Sequence, residues 1–143
     1  MTQAGVVGRV VKANSSTAVV LLITDPNNAV TGLIQRTRDE GIVEGTVRGL
    51  ARMKYIPLLS AARVGDTVVT SGLTGGFPKG LVIGSVRSIE RVEGDLFQSA
   101  DITPEVDVSK LEEVLVISTP RQFDERATDA GSLLPKQPEK RER

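Results

Sequence analysis

Gly65-Asp-Thr-Val-Val-Thr-Ser-Gly-Leu-Thr-Gly-Gly-Phe-Pro-Lys-Gly-Leu-Val-Ile-Gly-Ser-Val86 sets two β-rich runs on either side of a glycine-dense turn that carries no catalytic side chain. Val68 and Val69 before the turn, and Leu81, Val82, Ile83 and Val86 after it, offer apolar, mostly branched side chains suited to a pleated surface. Between them Gly72, Gly75, Gly76 and Gly80 permit backbone angles that a Cβ would exclude, and Pro78 fixes one angle and removes one donor. A loop specified this closely serves packing or a partner. Gly76, Phe77, Pro78 and Lys79 are therefore the candidate partner-binding loop, with Phe77 either plugging one end of a barrel or standing out as an anchor for another protein. Structural turns are expected at Gly8, Asp25, Gly65, Asp66, Gly72, Gly80 and Gly84.

Composition narrows the function. The 143 residues suit one domain or two very small ones, and 39% hydrophobic content with only 3% aromatics predicts a core of Val, Ile, Leu and Ala. Lys plus Arg equals Asp plus Glu at 18 each, so no overall field exists to hold a polyanion, and nucleic acid is disfavoured as the main ligand. With no Cys and no His, the chain has no thiol nucleophile, no disulfide, no thiolate or imidazole metal ligand and no histidine acid–base pair. The longest apolar run, Ala18 to Ile23, is far short of the roughly 20 residues that cross a bilayer.

Turn formers divide the chain into short strands. Val6 to Lys12 and Thr17 to Thr24 flank Ala13-Asn-Ser-Ser as a hairpin, and Asp25-Pro-Asn-Asn ends it. Ala29 to Arg36, Ile42 to Val47 and Met53 to Pro57 read as further strands, with Gly41, Gly45 and Gly49 marking bends. Leu58 to Arg63 is the one stretch with helical character. Asp66 to Ser71, Gly80 to Val92 and Leu96 to Ile102 follow, then a helical turn with Ser109 and Glu112 as a capping box, and Val114 to Ile117 as a last buried strand. Residues 119–143, rich in Pro and mixed charge, are expected to be a disordered tail. The pattern predicts an all-β protein of small barrels.

The ordered set of motifs is specific. Asp66-Thr-Val-Val-Thr-Ser-Gly, Gly76-Phe-Pro-Lys-Gly-Leu and Gly84-Ser-Val, with Gly5-Val-Val-Gly-Arg-Val, Leu21-Leu-Ile-Thr-Asp, Gly41-Ile-Val-Glu-Gly and Val106-Asp-Val-Ser-Lys-Leu-Glu-Glu-Val-Leu-Val, closely resemble the extracytoplasmic β domain of the bacterial MreC family from about Gly5 to Ile117. That resemblance implies two small barrels reminiscent of trypsin-like proteases, over residues 1–118, the first incomplete at its N-terminal side. It implies a scaffold of the cell-elongation machinery on the periplasmic face of the cell membrane, binding a class B penicillin-binding protein, RodA, MreB and MreD, with no cofactor. Family members carry a membrane-spanning helix and a coiled coil ahead of the β region; the expectation is thus a soluble truncated chain, with self-pairing or patching of an open edge near Val6 to Val11.

Catalytic readings are weak. Phe-Pro-Lys-Gly does not match a phosphate loop, which needs Gly-Lys-Ser or Gly-Lys-Thr. Ser71 with Lys79 or Lys54 would make a serine–lysine dyad, but a Ser at a strand end ordinarily bonds a turn. Asp25, Asp66, Asp95, Asp101 and Asp107 are scattered, so no metal site is expected. Arg36, Arg38, Arg48, Arg52 and Lys54 interleave with acids as a solvated face. The rival is an OB-like or SH3-like nucleic-acid module, for which Tyr55, Phe77, Phe97 and Phe123 make a poor stacking platform.

Overall fold

Branched runs become strands wherever a turn former ends them. The computed structural model describes residues 1–2, 5–73 and 77–118. Its strands are β1 (Gly8–Ala13), β2 (Ala18–Leu22), β3 (Ala29–Ile34), β4 (Glu40–Gly45), β5 (Ala51–Pro57), β6 (Thr67–Thr70), β7 (Val82–Glu90) and β8 (Phe97–Pro104). Asn14 Oδ1 closes the first hairpin by accepting from the amides of Ser16 (2.9 Å) and Thr17 (2.8 Å), and Asp25 Oδ1 does the same for Asn27 (2.8 Å) in the second turn.

Strands β3 to β8 close into one antiparallel barrel in the order β3-β4-β5-β8-β7-β6, while β1 and β2 form a separate two-stranded sheet. Where two barrels are expected from the sequence, the described residues complete one and leave a hairpin beside it. Inward positions carry Val43, Met53, Ile56, Val68, Ile83 and Ile102, all essentially without solvent contact. A β-bulge in β5 between Met53 and Ile56 breaks the alternation, so that Ile56 enters the core and Tyr55 stays outside. Gln98 is buried too, and is satisfied: its Nε2 donates to the Pro57 carbonyl and its Oε1 accepts from Arg91, each at 2.8 Å.

The seam between β3 and β6 closes the ring. Only three register pairs hold it, Gly32 with Thr70, Leu33 with Val69 and Ile34 with Val68. Beyond them Gln35 N donates to Thr67 O and Ser71 N to Thr31 O. Arg36 then clamps the same end, its Nε and Nη2 donating to Asp66 at 2.8 and 2.9 Å and its Nη2 also to Ala61 O at 2.6 Å. Asp66 is buried and takes a third bond from Arg63 N at 2.9 Å.

Several expectations are corrected. Gly8 and Gly84 are not turns: each lies in a strand, where a Cβ would stand 2.2 Å from Leu21 O and 2.1 Å from Thr103 O respectively, so close backbone approach and not left-handed geometry requires glycine. Gly65, Gly72 and Gly80 occupy positive φ of 96°, 80° and 89°. Leu58 to Arg63 has no helix, only a turn at its start, because six residues are too few to repay helix nucleation and Leu59 is almost wholly exposed, with no packing to help. The last turn is a 3-10 element at Val108–Lys110 capped by Asp107, which accepts from Ser109 N and Oγ; Ser109 is not the cap. Val114 to Ile117 is neither a strand nor buried, with Val116 72% exposed. Gly76 and the 119–143 tail lie outside the described residues.

Replacing Gly84 by Ala drives a methyl into the Thr103 carbonyl and is expected to lower stability by about 3 kcal/mol, read as a drop in the urea midpoint. Acid should act through the clamp. The Arg36 hydrogen bond is the largest influence on the Asp66 carboxyl; burial, next in size, opposes it, and the Arg63 amide with the charges of Arg36 and Arg63 leaves the carboxyl below its usual range. A depressed folded-state value makes this stabilisation present above about pH 4, where an unfolded Asp is ionised, and lost as pH falls through the lower folded value. The thermal midpoint followed by circular dichroism is therefore expected to fall on acidification below about pH 4, and to fall less steeply in Asp66→Asn.

Candidate partner-binding surfaces

Loop residues Phe77 to Lys79 sit where the hairpin meets the barrel. Thr70 Oγ1 donates to Pro78 O at 2.5 Å and accepts from Leu81 N at 2.9 Å, which binds both ends of the loop to the last residue of β6. Phe77 is turned inward and only 8% exposed, packing into the core cluster; of the two roles open to it in the sequence, it takes that of a plug. Lys79 is exposed and Pro78 half-buried. Phe77, Pro78 and Leu81 line one side of a cavity of about 510 Å³, whose other walls come from Val6, Leu22 and the exposed Val114–Ile117 segment.

The hairpin itself is the more open surface. Val6 N donates to Val82 O (2.8 Å), Ile23 N to Val7 O (2.8 Å) and the buried Asn28 Nδ2 to Leu22 O (3.0 Å), so its base is tied to the barrel. Farther out Val10, Val11, Val19 and Val20 are each 41–55% exposed, and neither strand has a second neighbour among the described residues. Such an edge offers unpaired backbone donors and acceptors beside apolar side chains.

A second surface lies on the barrel wall. Tyr55 and Phe97 meet edge to face with centroids 5.7 Å apart at 88°, on a groove of about 590 Å³ that also includes Arg52, Lys54, Val92 and Leu96. Sequence reading placed Tyr55 and Phe97 in different strands; the β5–β8 register, which sets Pro57 opposite Phe97, is what joins them. No signal in the sequence marks the bulge.

Chemistry is little served by the rest. The basic cluster is dispersed into ion pairs: Arg36 with Asp66, Arg52 with Asp101 and Glu90, and Lys54 with Glu44. Ser71 Oγ accepts from Leu73 N at 3.2 Å, a turn bond. Among the described residues no group of three or more acidic side chains is placed to hold a metal ion, and no helix is long and apolar enough to cross a membrane.

A six-stranded antiparallel barrel with an aliphatic core and a hairpin at its side defines a small all-β barrel core. The family model for the rod shape-determining protein MreC, barrel core, matches residues 1–118, and the chain belongs to that family. The cell shape-determining protein MreC of Listeria monocytogenes is 32% identical over 136 residues, covering 92% of this chain and 44% of that protein. The chain thus spans less than half the length of this curated relative. The crystal structure of MreC from Pseudomonas aeruginosa superposes with a TM-score of 0.69 at 28% identity, covering 73% of this chain and 68% of that one. A complex between a penicillin-binding protein and MreC from Helicobacter pylori shares the fold at a TM-score of 0.54 and 22% identity, over 69% of this chain and 74% of that one.

Phe77→Ala is expected to empty a core site and cost about 3 kcal/mol. Chemical denaturation would show it as a lowered midpoint, with a Phe77→Leu variant losing less.

Proposed function

We propose that this barrel is a non-catalytic scaffold of the bacterial cell-elongation machinery. It contributes to cell shape and peptidoglycan synthesis by binding cell-wall and shape proteins at the extracytoplasmic face of the membrane. Its first partner is a class B penicillin-binding protein; RodA, MreB and MreD are further partners of the intact assembly. Self-association through the hairpin edge belongs to the same reading.

The observation that carries this reading is membership of a family named for determining cell shape, matched across residues 1–118. The Helicobacter pylori complex supports a penicillin-binding protein as partner, since a relative of the same fold has been solved with one. The sequence adds its own support: without Cys or His it has neither a thiol nucleophile nor an imidazole base, while the hairpin and the barrel wall both expose apolar side chains.

Surface plasmon resonance against the extracytoplasmic region of a class B penicillin-binding protein from the same cell tests it. Saturable binding is expected, with Kd on the order of micromolar, the weaker end of what protein–protein interfaces of standard size give. A response no larger than that of an unrelated β-barrel protein would overturn the reading.

A further inference from the structure

We propose that Val114–Ile117 is a strap that closes over the cleft beside the hairpin, laying its apolar side chains on the face that Val10, Val20 and Leu22 share. This device goes beyond the scaffold reading and does not depend on it. The hairpin register defines the face: Val10 stands opposite Val20 and Gly8 opposite Leu22, so their side chains point the same way. These residues line the cleft of about 510 Å³ together with Phe77, Pro78 and Leu81 of the barrel and with the segment itself.

The segment is pinned at one point and not paired along its length. Met1 and Leu115 exchange both backbone hydrogen bonds, Met1 N donating to Leu115 O at 2.6 Å and Leu115 N to Met1 O at 2.5 Å. Among the described residues no other backbone bond fixes Val114–Ile117. One exchanged pair sets where an extended chain lies and leaves it free to roll about its own axis. A bend at Glu112, just after the 3-10 turn Val108–Lys110, gives it a pivot. Val114, Leu115, Val116 and Ile117 are 47, 60, 72 and 46% exposed. Successive residues of an extended chain point to opposite sides, so neither side of the segment is covered.

Apolar surface on both sides of one cleft supplies the driving force. The lining includes a single charged side chain, Arg9, and Arg9 stands opposite Leu21, on the other face of the hairpin. The strap residues carry no charge or polar side chain that closure would strip of water. Closure takes Val10 and Val20, now 45% and 41% exposed, out of contact with solvent along with the strap's own side chains. The chain's own segment is the occupant because it already stands at the cleft. Its closing is a rotation over a few residues, whereas a second chain must first give up translational and rotational freedom.

Disulfide trapping and NMR on the full chain test this. The chain has no cysteine, so an introduced pair supplies the only thiols. Val20→Cys with Val116→Cys is expected to form an intramolecular disulfide in glutathione buffer at least about tenfold faster than Val20→Cys with Leu59→Cys, since the bond needs Cα atoms within about 7 Å. Leu59, 99% exposed, lies beyond the other end of β6 from Phe77. Adding Val114→Asp to the trapping pair should slow closure about tenfold, because a carboxylate resists burial against valine. In the unsubstituted chain, nuclear Overhauser contacts are expected between methyls of Val10, Val20 or Leu22 and those of Val114 or Val116. A trapping rate equal to that of the Leu59 pair, a Val114→Asp rate equal to its parent, or absence of those methyl contacts would each overturn the strap. Disulfide-linked dimers as the main product would overturn it too, by making a second copy the occupant.

Discussion

Closure of the ring at the β3–β6 seam is the constraint on which the rest depends. Every other neighbouring pair in the barrel except β5–β8 joins strands consecutive in sequence; β3 and β6 are separated by two strands and a long connection. That closure carries a loop-entropy cost before any contact repays it. Three register pairs are a small return, and the Arg36–Asp66 pair with the Arg63 amide adds charge-assisted bonds at the place where the seam would fray. Once the seam is shut, the barrel has no free edge, and its aliphatic interior can be filled by Val, Ile and Met without aromatic bulk.

Glycine placement serves the same closure. A small ring brings strands and turns so near that several positions have no room for a methyl: Gly45 lies against the backbone of Thr24 and Asp25, and Gly41 against Lys54 O. The aliphatic core and the glycine pattern are therefore one solution to one geometric problem, a tight barrel with a narrow bore.

Strand existence was legible in the sequence because Val-rich runs and Asn, Asp, Pro and Gly turns are local signals; the hairpin, the Asp25 turn and the strands around residues 66–102 lie close to where the pattern sets them. What depends on long-range contact was not legible. Gly8 and Gly84 look like turn residues until the strand crossing them is known. Val114 to Ile117 reads as a buried strand because its composition is apolar, yet burial needs a neighbour, and the described residues supply little. The Tyr55 bulge left no trace, since alternation from Ala51 and Met53 would have sent Tyr55 inward. Phe77, one of the candidate loop residues, has the surroundings of a plug because the folded chain brings it into the core cluster, a long-range outcome that its loop sequence does not announce.

The hairpin has a different physical status from the ring to which it is tied. A lone two-stranded ribbon is marginal in water, and beyond its base this one has exposed faces and few tethers. Its amides should open by small local excursions, well below the energy that opens the seam. Any ligand that completes its sheet must first quiet that motion, so part of the binding energy goes into ordering and the measured affinity understates the contact made. Such an arrangement favours quick release over permanent attachment.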